Sequence, residues 1–231
     1  MTRVVLFDID GTLLASGGVG RRAMEGALQA HFGTIGPTHY RYDGKTDRQI
    51  ARESMKHAGF SDADIDARME PLLADYLARL EHTVTSGEHG VRTHAGIREL
   101  LDALEARSDV MLGLLTGNIA PGATLKLRAA ALAPERFRVG AFGSDHEHRP
   151  SLPAIAQQRA AALLGRSVPG TDVVIIGDTP ADVECGRGIG ARAIAVATGH
   201  YTTADLAVYK PHAVFEDFTD VQAAVRAICD A

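Results

Sequence analysis

Short apolar runs alternate with amphipathic helical patterns along most of the chain. Six runs have the composition of β-strands, and a turn and then a helical pattern usually follow each one: residues 3–7, 110–115, 139–142, 172–176, 192–197 and 213–215. The fourth run contains four consecutive apolar residues from Val173 to Ile176, as is typical of a strand that is covered on both faces. Strands that alternate with helices predict an α/β protein built on a parallel sheet.

One region interrupts this alternation, because residues 20–86 show helical patterns and no convincing strand. Its clearest helix is predicted to begin at Asp62 with Ser61 as the N-cap, and Pro71 predicts a kink or an early end within it. Glycines at Gly17, at Gly18 and within residues 87–90 predict flexible joints. We therefore expect an α/β core domain formed by residues 1–16 and 88–231, and a helical insert formed by residues 17–87.

The composition makes several classes of partner improbable. The chain has 231 residues, is 45% hydrophobic and carries a formal net charge of -5, and it has no dense run of Lys and Arg. These values argue against nucleic acid or an anionic membrane as a partner and favour a small molecule. Two cysteines cannot form a disulfide framework, no apolar stretch approaches the roughly 18 residues needed to span a bilayer, and no secretory start is visible, so we expect a cytoplasmic protein.

Two aspartates follow the first predicted strand. Asp8 and Asp10 are two residues apart, so on an extended chain they point to the same side about 6.6 Å from each other. Gly11 permits a tight turn, and Thr12 adds a hydroxyl group. Because like charges at this distance are costly without a cation, the pair indicates a site for catalysis or metal binding rather than a polar strand end.

A second acidic segment follows the most apolar strand. Asp178 lies at the carboxyl end of that strand, and Asp182 falls in the first turn of a helix that Pro180 is well placed to start. Alone, this pattern is equally consistent with ordinary helix capping. Together with Asp8 and Asp10, it predicts an oxygen-only site that favours Mg²⁺ over zinc.

A third polar turn follows the strand at residues 110–115. Thr116, Gly117 and Asn118 offer a hydroxyl and backbone N–H groups that can hold a phosphate oxygen, with a glycine that permits close approach. Ligands bind outside the carboxyl ends of parallel strands, and three such ends carry the groups described here.

In this order, the three motifs resemble those of the haloacid dehalogenase-like hydrolase superfamily, and the helical insert resembles its first (C1) class of cap. The resemblance implies a Rossmann-like core with an α-helical cap. It also implies that Asp8 is the nucleophile and becomes an aspartyl-phosphate, that Asp10 is the general acid and base, and that Thr116 binds the phosphoryl group. Mg²⁺ would be held by Asp8, the backbone carbonyl of Asp10 and Asp178, with Asp182 in or beside the coordination shell.

The superfamily usually places a lysine before its last acidic motif, but this chain has no lysine between the third strand and Asp178. Arg149 stands at about the expected place, and we expect it to replace this lysine as the positive charge that binds the phosphate. Arg159 and Lys126 are the alternatives. In the insert, Gly44 and Lys45 are the candidates for recognising the part of the substrate that lies farthest from the phosphate.

The expected function is that of a Mg²⁺-dependent phosphatase of phosphoglycolate phosphatase-like type, a phosphoric monoester hydrolase acting on a small phosphorylated metabolite. A phosphomutase of the β-phosphoglucomutase type and a non-catalytic binding module on the same fold remain alternatives. Asp10 argues against a dehalogenase or a phosphonate-cleaving enzyme, because neither needs an acid at that position.

Overall fold

The core of the protein is a parallel β-sheet. The computed structural model describes residues 2–87 and 90–229. Within them, six strands form one sheet in the order β5-β4-β1-β6-β7-β8, and all neighbouring pairs are parallel. The strands are β1 (Arg3–Phe7), β4 (Val110–Thr116), β5 (Val139–Phe142), β6 (Val173–Gly177), β7 (Arg192–Val196) and β8 (Ala213–Phe215). The predicted α/β class is confirmed, and each predicted run corresponds to a strand with ends that differ by no more than one residue.

Helices cover both faces of this sheet. They are α4 (Ile97–Glu105), α5 (Ala120–Ala129), α6 (Leu152–Leu164), α7 (Pro180–Cys185), α8 (Thr203–Ala207) and α9 (Val221–Cys229). Alternate residues of β1 belong to two different apolar clusters: Val5 and Phe7 to one, Val4 and Leu6 to the other. This division follows from the two-residue period of a strand and explains why β1 has no polar residue after Arg3 and β6 has none.

The helical insert contains three helices, α1 (Val19–Phe32), α2 (Asp47–His57) and α3 (Asp62–Thr85). The Ser61 side chain accepts a hydrogen bond from the backbone N–H of Asp64 and caps α3 as expected. An early end at Pro71 is wrong, because α3 continues to Thr85. Buried apolar residues lie on both sides of Pro71, and α3 packs against α1, so tertiary packing outweighs the local cost of the proline.

A two-stranded antiparallel ribbon lies where the chain enters and leaves the insert. It pairs β2 (Leu14–Ala15) with β3 (Arg92–Thr93) and has no counterpart in the sequence analysis. Gly17 and Gly18 both adopt positive φ. In the expected joint at residues 87–90, Glu88 and His89 lie outside the described residues. Among the helices that the structure describes, none has the length and apolar character needed to cross a bilayer.

Candidate active site

A cavity of about 910 Å³ opens at the carboxyl ends of β1, β4 and β6, between the sheet and the helical insert. These three strands are neighbours, so the turns that follow them converge. The cavity wall includes most of the residues expected from the sequence: Asp8, Asp10, Gly44, Lys45, Thr116, Gly117, Asn118, Arg149 and Asp178. Asp182 is not part of this wall, and its side chain is almost fully buried next to it.

Three carboxylates form a buried group at one end of the cavity. One oxygen atom from each of Asp8, Asp178 and Asp182 lies within 4.8 Å of the others, and we call this group the carboxylate cluster. Burial raises the pKa of Asp8 to about 7, with a contribution from the charges of Asp182 and Asp10, while Arg149 acts in the opposite direction. Burial and the charges of Asp182 and Asp8 also raise the pKa of Asp178 well above its usual value. Arg149 therefore offsets these effects only in part, and in the absence of a cation both carboxyls resist losing their protons.

This donor set fits a hard divalent cation. The three residues offer only carboxylate oxygens, which Mg²⁺ prefers over nitrogen or sulfur ligands. The Oδ1 atom of Asp10 is buried and has no hydrogen-bond partner among the described residues. A cation at the cluster would lower the energy of all the ionised carboxylates, because each is now repelled by the others.

The turns around Asp178 leave no room for additional side chains. A Cβ atom at Gly11 would lie 2.3 Å from Oδ2 of Asp178, and one at Gly199 would lie 1.9 Å from the same oxygen. Thr12 donates a hydrogen bond of 2.9 Å to the other oxygen of Asp178. The carboxylate is thus held by close contact on several sides, and Gly199 belongs to a turn after β7 that the sequence analysis missed. Its position after the carboxyl end of a neighbouring strand was the available signal.

Asp182 has a structural role as well as a place in the cluster. It forms a capping box with Thr179 at the start of α7: the Thr179 side chain accepts from the Asp182 backbone, and the Asp182 side chain accepts from the Thr179 backbone. Its Oδ1 atom also accepts a short hydrogen bond from Arg149. The helix start at Pro180 predicted from the sequence is observed.

Arg149 faces the site and not the solvent. Only 3% of its surface is exposed, and its Nη2 atom lies 3.4 Å from Oδ1 of Asp8 while it also binds Asp182. Arg159, one of its rivals in the sequence analysis, forms a partly exposed pair with Asp145. Arg149 therefore supplies positive charge to two members of the carboxylate cluster.

Lys126, the other alternative to Arg149 in the sequence analysis, pairs with a different carboxylate. It projects from α5, is 4% exposed, and its Nζ atom lies 2.7 Å from Oδ2 of Asp10 and 2.6 Å from Oδ1 of Asn118. The Asn118 amide donates to the same Asp10 oxygen at 2.8 Å and to the Thr116 hydroxyl at 2.8 Å. Burial alone would raise the pKa of Asp10, but the charge and hydrogen bond of Lys126, with the Asn118 amide, lower it below its usual value.

The loop before α2 brings the helical insert onto the sheet edge. Gly44 has φ +72°, and a Cβ atom there would lie 2.7 Å from the Cβ of Ala181 on α7. A Cβ at Gly117 would lie 2.0 Å from the carbonyl oxygen of Lys45, so this loop packs directly against the turn after β4. The Lys45 side chain lines the cavity, and its Nζ atom pairs with Glu53 at 2.7 Å.

Comparisons with known proteins agree with this architecture. A family model described as HAD-hydrolase-like matches residues 151–221. Among solved structures, a hydrolase from Pseudomonas syringae superposes with a TM-score of 0.74 at 21% identity, covering 99% of both chains. CbbY from Rhodobacter sphaeroides, solved in complex with phosphate, has a TM-score of 0.71 at 21% identity, covering 96% of both chains.

A third structure, described as a predicted phosphoglycolate phosphatase from Haemophilus somnus, has a TM-score of 0.70 at 17% identity, covering 97% of this chain and 98% of that one. No curated protein sequence matches this chain. At these identities the structural likeness shows the fold. Together with the family model, it confirms the resemblance expected from the motifs: the chain has the α/β fold of the haloacid dehalogenase-like hydrolases.

Proposed function

We propose that this chain is a Mg²⁺-dependent phosphatase that hydrolyses a small phosphorylated metabolite through an aspartyl-phosphate on Asp8. The observation that carries the proposal is the carboxylate cluster, which lies beside the paired Asp10 and Lys126 in one large cavity. The likeness to structures described as phosphatases supports it. We also propose that residues 17–87 form a cap domain on a core made of residues 1–16 and 88–231.

In the first step of this mechanism, an oxygen of Asp8 bonds to phosphorus while the bond from phosphorus to the leaving group breaks. Asp10, protonated for this step, gives its proton to the departing oxygen. In the second step, Asp10 accepts a proton from water as the water oxygen bonds to phosphorus. The bond between phosphorus and Asp8 then breaks, which releases phosphate and restores the carboxylate.

The neighbouring residues orient these groups. Arg149 contacts Asp8 and fixes the carboxylate that attacks phosphorus, and Lys126 with Asn118 fixes Asp10 in its ionised form, which the second step requires. In this proposal the Thr116 hydroxyl and the backbone N–H of Gly117, two residues that line the cavity, hold phosphoryl oxygens. Asp8, the backbone carbonyl of Asp10 and Asp178, with Asp182 beside them, would hold Mg²⁺, which would supply the charge neutralisation that lets an anionic carboxylate approach an anionic phosphoryl group.

Phosphate release from a generic aryl phosphate tests the proposal. We expect wild type to release phosphate with Mg²⁺ and to stop when the cation is chelated, and Asp8→Asn to be inactive because it lacks the nucleophile. Asp10→Asn should still become phosphorylated by a substrate with a good leaving group, since that group needs no proton, and should then turn over at least about a hundredfold more slowly.

The matched control is Asp145→Asn, which changes an aspartate outside the cavity that pairs with Arg159. It should retain wild-type turnover. Activity in Asp8→Asn would overturn the covalent step, and full activity after chelation would overturn the metal requirement. If a bisphosphorylated sugar instead primes isomer exchange without net phosphate release, the chain is a phosphomutase.

A further inference from the structure

The part of the cavity that faces the helical insert is charge-balanced. Its basic side chains are Arg21, Arg41 and Lys45. Each pairs with an acid of the same insert: Arg21 with Glu25 at 3.1 Å, Arg41 with Asp43 at 2.9 Å and Lys45 with Glu53 at 2.7 Å. These three positive charges, the ones that the insert offers to a second anionic group of a substrate, are therefore each matched by a carboxylate, and Asp43 also lies 3.7 Å from the His200 ring across the cavity.

The Lys45–Glu53 pair is the most tightly organised of the three. Besides Lys45, Glu53 accepts hydrogen bonds from the Tyr40 hydroxyl and from the Gln49 amide at 2.7 Å. Burial alone would raise the pKa of Glu53, but these hydrogen bonds lower it to about 2, so this carboxylate is ionised at neutral pH. Lys45 also lies over the Tyr40 ring, 5.0 Å from its centroid, which further fixes the ammonium group.

The other groups on this side of the cavity are mostly uncharged. They include two tyrosines, two apolar side chains and a serine: Tyr42, Tyr76, Met24, Ile50 and Ser16. The volume of about 910 Å³ is near the upper end for small-molecule sites and exceeds what a two-carbon phosphorylated acid would fill. A carboxylate placed here would lose its hydration and would find each nearby cation engaged.

We propose that the substrates are phosphate monoesters whose leaving group carries no second anionic group, and that Glu53 determines this specificity by neutralising Lys45. The proposal rests on the proposed function and narrows it to a substrate class. It distinguishes this chain from an enzyme built for a small phosphorylated acid, which would need an unmatched cation at the remote end of its cavity.

Two aryl phosphates of nearly the same size provide the test: 4-carbamoylphenyl phosphate and 4-carboxyphenyl phosphate. We expect wild type to have a kcat/KM at least about tenfold higher for the carboxamide, because the carboxylate is desolvated without a partner. A wild-type preference for the carboxylate, or equal values, would overturn the proposal. Absence of hydrolysis of both esters, and of generic aryl phosphates, would instead remove the proposed function and this inference with it.

Variants at Glu53 show whether this residue sets the preference. Glu53→Gln leaves Lys45 with an unmatched charge, and we expect the ratio of the two kcat/KM values to fall by about fivefold through a lower KM for the carboxylate. Comparison between variants cancels the different intrinsic reactivity of the two esters. The double variant Lys45→Met, Glu53→Gln should restore the wild-type ratio, because the unmatched charge is gone.

The matched control is Glu70→Gln, which removes the acid from another Arg–Glu pair of the insert, that of Arg48, outside the cavity wall. It should leave the ratio unchanged. A ratio in Glu53→Gln equal to that of wild type, or an equal change in the control, would contradict the role of Glu53. If Glu53→Gln does not fold, the wild-type ratio still decides the substrate class.

Discussion

Two buried basic side chains pair with different carboxylates of the site. Lys126 pairs with Asp10, whereas Arg149 contacts both Asp8 and Asp182. The pKa of Asp10 is therefore lowered, while burial still raises the pKa of Asp8 to about 7. Two aspartates only two positions apart in the sequence thus have opposite pKa shifts in the cation-free protein. The proposed roles need Asp8 ionised, which a cation held by the carboxylate cluster would favour, and Asp10 protonated for the first step against the effect of Lys126.

The raised pKa of Asp8 predicts that this residue destabilises the metal-free protein near neutral pH. Between the usual value of 3.8 and about 7, the folded state binds more protons at Asp8 than the unfolded state does, so the stability falls as the pH rises through this window. Asp8→Asn should therefore raise the free energy of unfolding at pH 7 by on the order of 2 kcal/mol in the presence of a chelator.

Urea denaturation at several pH values checks this prediction. The advantage of Asp8→Asn should shrink as the pH falls from 7 towards 4, where Asp8 becomes protonated in the unfolded chain as well as in the folded protein. Asp205→Asn provides a contrast, because hydrogen bonds from Thr202 lower the pKa of this exposed aspartate in α8. This variant should be less stable than wild type at pH 7 and should approach wild type as the pH falls. If Asp8→Asn is less stable than wild type at pH 7 without metal, the ionised Asp8 does not destabilise the folded protein.

Individual residues also show which features of the site could not be predicted from the sequence. The i, i+2 spacing of Asp8 and Asp10 and the glycine after them were sufficient to indicate a catalytic or metal-binding site, whereas the assignment of Asp8 as the nucleophile came from the family resemblance. The partnership of Lys126 with Asp10 was not predictable, because it joins residues 116 positions apart through the orientation of α5. Nothing in the sequence indicated a role for Glu53, because that role depends on the position that Lys45 takes in the folded insert.

At the scale of elements, the first turn of α2 connects the insert to the core. Thr46 caps this helix by accepting from the backbone N–H of Gln49 at 3.1 Å, and its hydroxyl donates to the carbonyl of Glu147 at 2.7 Å. The Asp47 side chain accepts from the backbone N–H of Ile119 at 2.8 Å. Arg52, two turns later, pairs with Glu147 at 2.6 Å. One short helix thus links the insert to the loops that carry Asn118 and Arg149.

Thr46→Ala should weaken this connection. Losing the cap and the bond to Glu147 should lower the free energy of unfolding by about 1–2 kcal/mol, as measured in urea. Thr202→Ala is the matched control, because Thr202 caps α8 through the same bond to the third helical residue but lies on the exposed surface of the core. Only Thr46→Ala should also raise KM for a phosphate ester, and equal kinetic effects of the two variants would contradict a connecting role.

Local signals predicted the elements well where the pattern and the packing agree. The strands, the Ser61 cap and the helix start at Pro180 all follow from residues that are close in sequence. The early end predicted at Pro71 was wrong because packing of α3 against α1 outweighs the local cost of the proline. The β2–β3 ribbon has only two residues in each strand, too few for a periodic pattern, and it forms through pairing of segments almost 80 positions apart.

At the scale of the whole molecule, the site is assembled from turns that only the parallel sheet brings together. The sequence predicted this because carboxyl ends of neighbouring parallel strands meet at one edge. It could not predict the closure of the cavity by the insert, which depends on the contact of the loop before α2 with Gly117 and Ala181. In the proposed function, core residues hold the reacting groups, and insert residues set the charge around the leaving group.

The proposed metal site makes a prediction about the entire chain. Mg²⁺ that binds only the folded protein should raise Tm, and a millimolar concentration well above the dissociation constant gives a shift of about 5 °C for a chain of this size. Because Asp8 and Asp178 must lose protons to bind the cation, the shift should be larger at pH 8 than at pH 5.5.

Asp178→Asn separates this effect from general ionic stabilisation. It removes one charge of the carboxylate cluster while preserving the shape of the side chain, so its Tm should no longer respond to Mg²⁺, although the same variant in chelator should match or exceed wild type in stability. Asp172→Asn, a change to a buried aspartate outside the cavity wall, should keep the wild-type response. An unchanged Mg²⁺ shift in Asp178→Asn would place the cation elsewhere, because a charged ligand of the folded state cannot be lost without weakening what it binds.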